Sequence, residues 1–111
     1  MGETPAEAAR ELREEMLEVL KQLNRDEMED EESPGLERSE LRHLLARGPL
    51  PQITDDRLDR ALSILIGNGY VRELSDPRWA WSRGRTVVDR YGITTNGKAF
   101  LARALEKVGR I

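Results

Sequence analysis

Arg83-Gly84-Arg85 sets two guanidinium groups on either side of a glycine. Such groups are planar, permanently charged forks of donors that match phosphate oxygens and base edges. The stretch around them, residues 83–105, starts as a basic turn and continues as an alternating apolar segment. It then reaches Thr94-Thr95-Asn96 and takes on apolar residues at helical spacing. Other chemistry is thinly supplied. There is one histidine, His43, and no cysteine. No glycine loop of the phosphate-binding kind and no histidine–carboxylate metal spacing occurs, so neither an enzyme nor a cofactor or metal is expected. Residues 26–32 are acidic at six of seven positions, yet they lack the alternating spacing and terminal glutamate of a calcium loop. That run reads as a solvated linker, broken by Ser33-Pro34-Gly35.

The charge is unevenly distributed. The 111 residues sum to a net −3. Residues 1–53 hold 7 basic against 14 acidic side chains, a net of −7, whereas residues 54–111 hold 11 against 7, a net of +4. A surface for a polyanion therefore belongs in the second half. Arginine outnumbers lysine 15 to 3. That suits bidentate contacts, although GC-rich coding produces the same bias. The length suits one domain. The lack of cysteine excludes a disulfide framework and fits a reducing compartment. No apolar run approaches the roughly 20 residues of a bilayer span. The opening Met1-Gly2-Glu3-Thr4-Pro5 lacks the layout of a signal peptide. A cytoplasmic location and no membrane role are expected.

The elements that must position these groups follow from periodicity and punctuation. Thr4 caps a first helix with Pro5 at its first position and Glu7 three after the cap. Its inward stripe is Ala9, Leu12, Met16, Val19, Leu20 and Leu23, and it runs to about Asp26. Ser39 caps a short helix from Glu40 to about Arg47, with Leu41, Leu44 and Leu45 inward. Gly48-Pro49-Leu50-Pro51 ends it. Thr54 caps the next helix, whose first turn holds Asp55 and Asp56 and whose inward set is Leu58, Ala61, Leu62 and Leu65. Gly67-Asn68-Gly69 stops that helix. Residues 70–74 alternate like a strand, and residues 87–93 read as the return strand. Thr94 or Thr95 then caps a last helix with Phe100, Leu101, Ala104, Leu105 and Val108 inward.

This order, and three local strings, resemble a winged helix-turn-helix domain. The strings are residues 58–71 (LDRALSILIGNGYV), Arg83-Gly84-Arg85, and residues 91–98 (YGITTNGK). The first is similar to the leucine-rich helix and Gly-Tyr-Val junction of such domains. The last is similar to the Tyr-x-Leu-Thr-x-x-Gly run that closes the wing in PadR-like and MarR-like transcriptional regulators. The resemblance spans about residues 36–107. It implies a mostly helical α+β fold with a long N-terminal helix, a two-stranded wing and a C-terminal helix. Residues 1–35 would be the N-terminal helix and acidic linker, and residues 36–111 the winged-helix core of a single domain.

The resemblance also implies roles. Residues 55–68 would enter the major groove of duplex DNA. Arg57, Arg60 and Ser63 would meet base edges or phosphates. Arg83 and Arg85 would flank the wing tip, with Arg78 and Arg90 as further candidates. Ser39 and Arg42 would meet the backbone from the preceding helix. The terminal helices would make a homodimer. Against this, Asp55, Asp56 and Asp59 on the groove-reading helix repel phosphates. A second reading therefore stands beside the DNA-binding regulator: a winged-helix protein-interaction module in a transcription or replication assembly, with Trp79 and Trp81 at the partner's face. Those tryptophans equally suit the core edge of a hairpin.

Overall fold

The computed structural model of the chain describes residues 4–33, 35–74 and 90–108. Among these, the chain forms α1 (Pro5–Glu29), β1 (Leu36–Glu37), α2 (Arg38–Ala46), α3 (Asp55–Gly67), β2 (Val71–Leu74), β3 (Arg90–Ile93) and α4 (Thr95–Val108). The fold is α+β and mostly helical. Its sheet has three antiparallel strands in the order β1-β3-β2. The sequence pattern predicts only two. The third, β1, is two residues long, too short to leave a periodic signal, and exists because Leu36 and Glu37 pair with Tyr91 and Arg90.

α1 begins as its sequence demands: Thr4 Oγ1 accepts from the Glu7 amide at 3.2 Å, and Pro5 opens the helix. It runs to Glu29, beyond the expected end near Asp26. Val19, Leu20 and Leu23 are buried and join a core with Leu41, Leu58, Leu65, Val71 and Leu101. α1 thus lies on the near side of the 35/36 boundary but shares the core of the rest. The expected stripe needs correction at its start. Ala9 is exposed and Leu12 half-buried, because the first turns of α1 extend past the elements that cover the rest.

α2 starts two residues earlier than expected. Glu37 is its N-cap, and Glu40 Oε1 accepts from the Glu37 amide at 3.2 Å, so Ser39 sits in the first turn rather than capping it. Leu41 and Leu45 are buried, whereas Leu44 is 40 % exposed. A likewise outward residue is Leu105 on α4, 46 % exposed. Both fall at the margin of an apolar stripe, where the partner element decides burial.

α3 and its exits match the local chemistry closely. Thr54 Oγ1 accepts from the Arg57 amide at 3.2 Å, and Leu58, Ala61, Leu62 and Leu65 are buried. At its end the Tyr70 amide bonds Leu65 O at 2.9 Å and the Gly69 amide bonds Ile66 O at 3.0 Å. This paired pattern needs a left-handed residue, and Gly69 supplies it at φ 77°. Thr94, not Thr95, caps α4. Its Oγ1 accepts from the Gly97 amide at 2.9 Å and donates to Gly69 O at 2.6 Å, tying the start of α4 to the end of α3. Gly97 is required by packing: a Cβ there would stand 2.2 Å from Tyr70 O. Behind it, Tyr70 and Phe100 stack with ring centroids 4.6 Å apart.

Candidate nucleic-acid interface

With one face of α3 buried, its other face carries Asp55, Asp56, Asp59, Arg60 and Ser63, all exposed. Arg60 and Ser63, both expected to meet DNA, stand there with no ion pair or side-chain hydrogen bond to another described residue. Ile64, at the edge of this face, is half-buried.

α2 supplies one flank. Arg38 Nη1 donates to both oxygens of Asp59, at 3.0 and 2.9 Å. Arg42 Nε stands 3.4 Å from Asp55 Oδ1. The Arg38 guanidinium is held above its ordinary basicity, first by the hydrogen bond to Asp59 and then by that carboxylate's charge. Ser39 and Arg42 share an open depression of about 410 Å³ with Arg38, His43 and Asp55. Two of the three carboxylates that argued against a polyanion therefore already have arginine partners. Sequence reasoning missed Arg38. Its signal was a matched spacing: Arg38 and Arg42 lie four apart on one helix, as Asp55 and Asp59 do on the next.

α1 supplies the other flank, where Arg57, expected to meet DNA from the edge of the α3 face, is held by carboxylates. Its Nη2 donates to Glu11 Oε2 at 2.6 Å and lies 3.1 Å from Glu15 Oε1. Glu15 is only 3 % exposed. A buried carboxylate is costly unless paired, which draws the nearest guanidinium inward. The periodicity of α1 does place Glu15 beside the apolar stripe, three after Leu12 and four before Val19, although its charge argues against burial.

Arg90, a further residue expected at DNA, is also engaged internally. Its side chain is 16 % exposed, with Nη2 3.2 Å from Glu37 Oε1 and Nη1 donating to Gly35 O at 3.1 Å. It fastens β3 to the strand beside it. Arg78, Arg83, Arg85, Trp79 and Trp81 lie outside the described residues. The segment that contains them, residues 75–89, connects Leu74 to Arg90, which are register partners in the sheet.

Among the described residues, no group of three or more His, Asp or Glu side chains is arranged to hold a metal ion. None of the helices described is long and apolar enough to cross a membrane. Comparison with models of known protein families, with curated proteins and with solved structures returns no match.

Proposed function

We propose that this chain is a winged helix-turn-helix domain that binds duplex DNA as a transcriptional regulator, with α2 and α3 as the helix-turn-helix and α3 meeting the major groove. One observation carries the reading. α3, with its open polar face, is followed at once by two antiparallel strands whose ends at Leu74 and Arg90 are joined by the segment bearing Arg78, Arg83 and Arg85. On this reading Arg60 and Ser63 meet base edges or phosphates. Ser39 and Arg42, with Arg38 beside them, meet the backbone from the α2 depression. Arg57 acts as a positioning residue that holds α3 on α1. A homodimer through the terminal helices is supported by exposed Met28 and Leu105, which line one groove between α1 and α4 together with Leu101.

The test is a fluorescence-anisotropy titration of a mixed-sequence duplex at two salt concentrations, with the solution mass measured alongside. Binding is expected to weaken steeply with salt. Arg83→Ala with Arg85→Ala should reduce the slope of log K against log salt by about 1.8, roughly 0.9 for each phosphate that is no longer neutralised. No binding at low salt would sink the DNA reading.

A second reading is favoured by the charge balance of the α3 face, where Asp55 and Asp59 already occupy Arg42 and Arg38. It makes the domain a protein-interaction module whose partner covers that face and Trp79 and Trp81. A stable protein complex that persists with Trp79→Ala and Trp81→Ala would count against the tryptophan face.

A further inference from the structure

The outward side of α3 divides into strips. Asp55 and Asp59 lie on the strip toward α2 and are taken by Arg42 and Arg38. Arg57 lies toward α1 and is taken by Glu11 and Glu15. Between them, at about 100° per residue, Asp56, Arg60 and Ser63 fall within an arc of about 60°. All three are exposed, and none has an ion pair or side-chain hydrogen bond to another described residue. Gly67 continues the strip, and even a Cβ there would meet nothing within 4 Å.

This middle strip is electrically balanced, with one carboxylate, one guanidinium and one hydroxyl. It is a poor binder of phosphates, which need net positive charge. Asp56 is the decisive group. Phosphates repel it, and unlike Asp55 and Asp59 it has no arginine of the chain to offset that. In the major groove its favourable partners are exocyclic amino groups, N4 of cytosine and N6 of adenine. A carboxylate only accepts, and beside the adenine amino group it also faces the N7 acceptor. Cytosine presents its amino donor with no acceptor beside it, so cytosine is the better match. Arg60 only donates and complements guanine, whose O6 and N7 both accept. The two residues are four apart, about 6 Å along the helix axis. Stacked base pairs repeat about every 3.4 Å, so the two side chains address pairs about two steps apart.

We infer that α3 reads a cytosine through Asp56 and a guanine through Arg60, about two base pairs apart. This rests on the duplex-DNA reading above and adds the class of sequence to it. The middle strip supplies selectivity, while affinity comes from the arginines on either side of it.

The experiment is a selection by the full chain from duplexes with a randomised centre, repeated with Asp56→Asn and Arg60→Ala. Anisotropy titrations of the enriched duplex and its single-base variants follow. Both positions are exposed and unpaired, so the variants keep the fold. The parent chain should enrich a cytosine and a guanine about two base pairs apart, and exchange of either base should weaken binding roughly tenfold. Asp56→Asn should move the first preference from cytosine to adenine, since an amide matches the adenine edge with both a donor and an acceptor, and leave the guanine in place. Arg60→Ala should lose the guanine and keep the cytosine. No binding to the starting duplexes at low salt overturns the DNA reading and this inference with it. Binding with a motif that lacks the cytosine, or with one that Asp56→Asn leaves unaltered, overturns this inference alone.

Discussion

α3 is gripped on two sides by the same chemical pair, and the two grips differ in burial. On the α2 side, Arg38–Asp59 and Arg42–Asp55 are about half exposed at both partners. On the α1 side, Arg57 reaches Glu15, whose side chain is 4 % exposed. Exposed pairs are screened and contribute little, so their guanidinium groups can exchange a carboxylate for a phosphate oxygen at small cost. The shielded pair cannot be exchanged that way, since removing Arg57 leaves a carboxylate in a low-dielectric setting. The same guanidinium–carboxylate pairing thus fastens α3 firmly on one flank and stays exchangeable with solvent ions on the other.

The largest effect that tests this contrast is on stability. Arg57→Ala should destabilise the fold by about 2 kcal/mol, below the full cost of breaking a buried pair because Arg57 itself is partly exposed. Urea unfolding measures it, and a cost equal to that of Arg38→Ala would break the comparison. Replacing both partners, Glu15→Leu with Arg57→Leu, should recover most of that loss, because the desolvation penalty goes with the charges. Failure to recover would mean the pair contributes more than countercharge.

Smaller effects sharpen the α2 side. Asp59→Asn frees Arg38 and removes a repulsive charge. Duplex binding should tighten by roughly 1 kcal/mol at low salt, about fivefold. Glu11→Gln, on the other flank, should leave anisotropy curves in place. Arg38→Ala or Arg42→Ala should cost stability at most about 1 kcal/mol, and less at high salt.

The smallest effect is a titration. Burial raises the Tyr91 phenol above its ordinary value, the charges of Glu73 and Asp59 add to this, and Arg38 opposes it. A folded-state value above the unfolded one means this contribution to stability is present below about pH 10. It is lost as pH rises toward the higher folded value. Absorbance at alkaline pH should show Tyr91 ionising earlier in Asp59→Asn and later in Arg38→Ala. No change in either variant would place the α2–α3 pair too far from Tyr91 to be felt.

Much of this architecture was legible along the chain. Leu58, Ala61, Leu62 and Leu65 follow a helical period behind a Thr54 cap, and both features are local. Gly69 and Thr94 mark their junctions because each meets a demand of the backbone within a few residues. β1 was not legible, since two residues carry no period and its partner lies over fifty positions away. The stripe margins at Ala9, Leu44 and Leu105 were misjudged for a related reason: a helix's own wheel does not say where its neighbour ends. Of the candidate DNA-facing residues, Arg60, Ser63 and Ser39 occupy open surface, Arg42 is exposed but paired with Asp55 of α3, and Arg57 and Arg90 are less exposed and engaged by carboxylates from other elements.

By itself the sequence determined where helices start and stop, which faces are apolar and where net positive charge gathers. These depend on residues three or four apart, or on composition. The tertiary structure alone decided which charge meets which. Arg38 meets Asp59 across 21 residues and Arg57 meets Glu11 across 46. Coulomb attraction acts through space and not along the chain, and burial of Glu15 sets how strongly it acts.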